Sequence, residues 1–141
     1  MMDLLEGGTL ALLRRSLDAA SLRERVIANN IANVDTPRFK RSEVQFEQVL
    51  RQYLQRTEKG TSRTVMARTH PKHMDAGGAG AEIPTAVVKV DHSTAMNNNL
   101  NNVDIDYEMA LMAENQLYYY TLIQQVNHEI RSLRTAIGGR V

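Results

Sequence analysis

His70-Pro71-Lys72-His73 sets two imidazoles three residues apart, with Asp75 close behind and Asp91-His92 further along. Histidine and aspartate are metal-ligand types, and a divalent-ion site is the chemistry such a cluster would suggest. A metal centre also needs ordered outer groups to orient its ligands. These residues lie in Gly-rich sequence with no periodic element to brace them, so the reading is no metal and no cofactor. Gly77-Gly78-Ala79-Gly80 follows no convincing strand and reads as a linker rather than a phosphate cradle. Asp104, Asp106 and Glu108 fit a helix start better than a pair of catalytic carboxylates, since anions are favoured at a helix N-terminus. Arg38, Lys40 and Arg41 read as a solvated basic turn, and His128 as a surface or interface residue. The chain is not expected to be an enzyme.

Composition narrows the class further. Seventeen basic against sixteen acidic residues leave a net charge of +1, which argues against a dedicated nucleic-acid binder. There is no Cys, so neither a disulfide framework nor a Cys zinc site is available. No run approaches the ~20 apolar residues of a membrane span, and no cleavable signal pattern is present. With Tyr53, Tyr107, Tyr118, Tyr119, Tyr120, Phe39 and Phe46 as its aromatics and no Trp, the chain has little with which to build a large core alone. Its apolar seams are expected to be buried against copies or partners.

Two long helices carry those seams. From Val103 to Ile137, residues Met109, Met112, Gln116, Tyr119, Ile123, Val126, Ile130, Leu133 and Ile137 alternate at three and four, a coiled-coil repeat. Asp104 is the expected N-cap and Gly138-Gly139 the stop. After a frayed start over Met1 to Gly8, a second run begins at Thr9: Leu10, Leu13, Leu17, Ala20, Glu24, Ile27, Ile31 and Val34. Leu12, Ala19, Leu22 and Val26 add an adjacent apolar line. This helix should stop at or before Asp35, because Pro37 biases Thr36 away from the helical region. Asn29, Asn30 and Asn33 in its last turns either loosen the helix end or hydrogen-bond across a helix interface, and spacing does not separate the two.

Ser42 to Arg56 reads as a short third helix, with Ser42 and Gln45 as a capping box and Phe46, Val49, Leu50, Tyr53 and Leu54 on one face, folded back on the long pair. Between Thr57 and Asn102 only Thr85 to Val90 reads as a strand, an edge one; the remainder is Gly- and Asn-rich. The expected class is therefore mainly α: long N- and C-terminal helices paired as an antiparallel coiled coil, a short third helix and a loop-rich middle with at most a minor β element. The parts are residues 1–36, 37–102 and 103–141. The assembly interface is expected at Leu13, Leu17, Ile27, Asn29, Asn30, Ile31, Asn33, Met112, Gln116, Tyr119, Ile123, Val126, Ile130 and Leu133.

Ala28-Asn29-Asn30-Ile31-Ala32-Asn33-Val34-Asp35-Thr36-Pro37-Arg38-Phe39-Lys40 resembles the signature of bacterial flagellar rod, hook and hook-associated proteins. Arg38 stands where that family commonly has Gly. Asn101-Asn102-Val103-Asp104-Ile105-Asp106, Glu108-Met109-Ala110, Asn115-Gln116-Leu117 and Thr69-His70-Pro71-Lys72-His73-Met74 are similar to the proximal-rod branch of the basal-body rod family. Family members often carry Asp-Gly before the second Asn-rich motif, where this chain has Asn98-Asn99-Leu100. The resemblance implies a structural subunit of the basal body, exported through the flagellar type III apparatus and built into the periplasmic rod. It implies contacts with self-copies, other rod subunits and the adaptor to the export apparatus. The rivals are a cytoplasmic coiled-coil adaptor or secretion chaperone, and a small metal enzyme on His70, His73 and His92.

Overall fold

The computed structural model describes residues 8–60, 83–92 and 100–138. Its elements run α1 (Gly8–Ala32), β1 (Ser42–Gln45), α2 (Glu47–Gly60), β2 (Val87–Val90) and α3 (Ile105–Gly138). The fraying expected over the first seven residues, His70, His73, Asp75 and the Gly77–Gly80 linker lie outside the described residues.

Helix α3 has 34 residues and α1 has 25, so at ~1.5 Å per residue they reach roughly 50 Å and 38 Å. Asp104 caps α3: its Oδ1 accepts from the Asp106 and Tyr107 amides at 3.0 and 3.3 Å. Helix α1 ends at Ala32, ahead of Pro37. Beyond it, Phe39 N–H donates to the Thr36 carbonyl, closing a turn with Pro37 and Arg38 at its centre. Arg38 there has φ of 62°, a left-handed conformation that suits Gly far better than a residue with a Cβ.

The two long helices pack antiparallel, Arg23 beside Asn115 and Asn30 beside Glu108. Ala19 and Ala20 are buried on α1, and their small side chains let α3 approach closely enough for Asn115 to reach the Ala20 carbonyl at 3.0 Å. The apolar core is small: Ala19, Ala20, Ile27, Val44, Phe46, Val103 and Leu122.

The stretch beginning at Ser42 departs from expectation. Residues Ser42–Gln45 are a strand, pairing antiparallel with β2 in the register Ser42↔Val90 to Gln45↔Val87. No capping box forms, because the Ser42 amide and carbonyl are both engaged by the Asn30 side chain. Helix α2 begins only after Phe46, whose carbonyl accepts from Leu50 at 2.8 Å. Nor does α2 lie back along the long pair. Extensive packing joins α1 with α3, β1 with β2 and α1 with β1, whereas α2 is tied at its first residue by the Glu47–Arg23 ion pair. Leu54 on α2 is exposed. Val87–Val90 falls inside the stretch read as an edge strand.

Candidate assembly interface

An isolated pair of helices is held in register by what lies between them. Here the layers repeat every seventh residue, with polar groups in them. On α1 the buried positions include Ser16, Ala20, Ile27 and Asn30, with Arg23 half-buried between them. On α3 they are Glu108, Asn115 and Leu122. Opposed layers are Asn30 with Glu108, then Arg23 with Asn115; Ser16 and Leu122 come one heptad further along each helix and are also buried. The expected seams share Leu13, Ala20 and Ile27 on α1 and Met112, Tyr119, Val126 and Leu133 on α3 with the half-buried or buried face. In the other half of each repeat the more deeply buried residue is displaced by one from the expected seam, although Leu17, Ile31 and Ile123 stay half-buried. Ser16, Arg23 and Asn30 stand in for Leu17, Glu24 and Ile31; Glu108, Asn115 and Leu122 stand in for Met109, Gln116 and Ile123.

Polar groups survive in these layers because each is satisfied. Asn30, fully buried, donates from Nδ2 to the Ser42 carbonyl at 2.8 Å and to Glu108 Oε2 at 3.1 Å, while its Oδ1 accepts from the Ser42 amide at 3.0 Å. The amide thereby occupies both backbone groups of Ser42, as a neighbouring strand would. Glu108, with no exposed surface, accepts Arg41 Nε at 2.9 Å on its other oxygen. The Arg41 guanidinium also stands 5.3 Å from the Tyr107 ring centroid, within cation–π range. Arg41 is therefore no solvated turn residue, and Glu108 does more than mark a helix start. Burial of an ion pair is tolerated when hydrogen bonds complete its shell, and no buried side-chain nitrogen or oxygen among the described residues lacks a partner.

The second Asn-rich motif closes against the first. Asn101, fully buried, presents Nδ2 to the carbonyls of Asn33, Val34 and Thr36 at 2.9–3.0 Å, and its Oδ1 accepts from Val103 at 2.7 Å. Two amide hydrogens are thus shared among three carbonyls at the end of α1. Asn102 accepts from the Arg41 amide at 2.7 Å and donates to the Asp91 carbonyl at 3.0 Å, completing the rung beyond the β1–β2 ladder. These amides carry the orphan backbone groups that a helix end and a strand end leave behind.

Of the residues expected at an assembly interface, Ile27 and Asn30 are buried inside this coil. Leu13, Leu17, Ile31, Asn33, Met112, Tyr119, Ile123, Val126, Ile130 and Leu133 are half-buried, and Asn29 and Gln116 are exposed. The three asparagines divide by role: Asn30 bonds across the interface, Asn33 bonds locally to the Asn29 carbonyl and the Thr36 hydroxyl, and Asn29 faces outward. Sequence reasoning missed Asn115, Glu108, Arg41, Asn101 and Asn102 as structural polar groups. The available signal was the seven-residue spacing of Glu108 and Asn115 on α3 and the presence of two Asn-Asn motifs. Apolar side chains left outside include Met109, Leu117, Tyr120 and Ile137, 58–82% exposed along α3.

Comparison with known proteins places the chain among relatives of one kind. The family model described as flagella basal body rod protein matches residues 10–40, which span α1 and the turn clasped by Asn101. The flagellar basal body rod protein FlgB of Bacillus subtilis (strain 168) is 33% identical over 132 residues, covering 94% of this chain and 95% of the relative. The chain belongs to the flagellar basal body rod protein family. Further rod-family relatives are FlgB of Borreliella burgdorferi, 35% identical over 87% of this chain and 90% of its own, and FlgB of Escherichia coli (strain K12), 27% identical over 97% of each. Both the α1 signature and the α3 coil of this rod-family chain fall within alignments of that coverage.

Proposed function

We propose that this chain is a structural subunit of the flagellar basal-body rod, polymerising through its helix faces into the axial tube that carries torque from motor to hook. Membership of the rod protein family supports that role over catalysis and over the cytoplasmic adaptor or chaperone. One observation of the molecule carries the reading: Leu117 and Tyr120 are 71% and 66% exposed on a helix that already buries its opposite face against α1. A helix with apolar residues on both sides needs a second neighbour.

Half-buried Leu13, Leu17 and Ile31 on α1, and Ile123, Val126, Ile130 and Leu133 on α3, leave further apolar surface along the flanks of the coil. Repeated head-to-tail contacts through such faces do not close and so build a helical filament. The partners in this reading are self-copies, other rod subunits and the adaptor that joins the rod to the export apparatus. Passage through the flagellar type III machinery and residence in the periplasm belong to the same reading.

Leu117→Asp tests it. The substituted side chain lies at an exposed position, so the isolated chain should keep its helical circular dichroism and its melting temperature. Basal bodies purified from cells carrying only this variant should lack rods. Normal rods would remove this face of α3 from the assembly.

A further inference from the structure

A two-stranded sheet has two outer edges, and the edges of this one differ. Asp91 N–H donates to the Arg41 carbonyl at 2.9 Å, so in antiparallel alternation residues 87, 89 and 91 turn their backbone groups toward β1. Val88 and Val90 turn theirs outward. On β1 the outward groups of Ser42 are already engaged by Asn30. On β2 no described residue pairs with the outward amides and carbonyls of Val88 and Val90.

The side chains at this edge are unusual for solvent. Val88 and Val90 share the face of buried Val44, the cross-strand neighbour of Val88, yet are 45% and 41% exposed. The outer strand therefore extends past α1, the helix that packs on β1. Val87, on the opposite face beside Lys89, is 55% exposed. Lys89 stands opposite Glu43, but the Glu43 carboxylate is engaged by Gln45 Nε2 at 3.1 Å and lies 3.9 Å from Arg41. Among the described residues Lys89 has no ion-pair partner.

We infer that the outer edge of β2 is a strand-addition site for an extended segment of another protein, one that alternates apolar residues with a carboxylate. Backbone pairing to Val88 and Val90 supplies affinity, as in other β-augmentation sites. The apolar side chains of the added strand continue the Val44–Val88 face, and its carboxylate lies across from Lys89. A second copy of β2 does not fit: the antiparallel register that pairs both outward residues of each strand sets Lys89 opposite Lys89, and like charges directly across a ladder repel. This site is separate from the helix faces of the rod reading, and it stands or falls independently of them.

The test uses the full chain and a synthetic peptide of alternating valine and glutamate, read by residue-resolved amide hydrogen exchange. With peptide at ten times its Kd, exchange at Val88 and Val90 should slow by about tenfold. A valine–lysine peptide at the same concentration should give clearly less slowing. Val88→Pro removes an outward amide while leaving the amides of Val87 and Lys89 to the β1 ladder, so it should abolish peptide protection while those two stay protected. Lys89→Gln, which sets no like charge opposite Glu43, should erase the preference for the valine–glutamate peptide while leaving Val87 and residue 89 protected. Absence of slowing in the parent chain, equal slowing by both peptides, or concentration-dependent protection of Val88 without peptide would each overturn the proposal; the last would identify a second copy as the occupant.

Discussion

The two ends of the α1–α3 coil are built on opposite principles. At the end holding Asn30, Asn101, Asn102 and Glu108, buried polar groups stand among the apolar ones and all have partners. Toward the other end, from Leu17 on α1 and Tyr119 on α3, Ser16 and Leu122 are buried, while Leu10, Leu13, Leu17, Val126, Ile130 and Leu133 are half-buried and Ile137 is 82% exposed. The buried polar groups of the first end are finished within one chain. Hydrogen bonds are directional, so its amides fix the register of helix against helix and of helix against sheet. The second end offers apolar surface, which accepts any neighbour of suitable shape. A subunit that must be specific within itself and adhesive toward others would divide its chemistry in this way.

Substitution should expose that division. Ile27, 3% exposed, lies in the finished half. Ile27→Asp there should cost about 4 kcal/mol or more, through lost packing and a desolvated carboxyl, and leave little cooperative unfolding in urea. Ile123→Asp, at a half-buried position, should keep a cooperative transition while still blocking assembly. Equal loss of stability in the two variants would erase the distinction between the ends.

Glu108→Ala is the next largest. It leaves the Arg41 guanidinium without its carboxylate and Asn30 without one acceptor, and breaking such a pair from one side costs about 3–5 kcal/mol. Glu108→Gln retains an acceptor and should fall between the two. Asn101→Ala removes a donor from three carbonyls and an acceptor from Val103. It should cost about 2–3 kcal/mol, seen as a lower urea midpoint with an unchanged slope. If it costs less than Ile123→Asp, the amide clasp is not what holds this end.

Much of this was legible in the chain. Asp104 as N-cap, the end of α1 before Pro37 and a strand within Thr85–Val90 follow from local rules acting over several residues, and two complementary seams at opposite ends of the chain point to the antiparallel pairing. The exact faces did not. Apolar periodicity selects Leu17, Ile31, Met109 and Ile123, whereas the chain buries Asn30, Glu108 and Asn115, whose cost is cancelled by partners 78–95 residues away. No local pattern reports a distant partner. The strand at Ser42–Gln45 was hidden for the same reason, since β2 and the Asn30 side chain define it. Ser42 with Gln45 makes a respectable capping box when those partners are ignored.

The smallest effect is also the one with opposite sign. Arg38 has φ of 62° and Leu100 has φ of 65°. The first stands at a position, and the second in a stretch, where the resembled family commonly carries Gly. A side chain in the left-handed region costs ~1 kcal/mol or more, and Gly returns part of that by loosening the unfolded chain. Arg38→Gly should therefore stabilise by about 0.5 kcal/mol, raising the urea midpoint slightly without changing helix content. The gain belongs to the backbone alone if Arg38→Ala, which shortens the side chain but keeps the Cβ, leaves the midpoint where it was. A gain as large with Ala would trace the strain to the guanidinium's surroundings, and the turn closed by Phe39 on Thr36 would then not be the source.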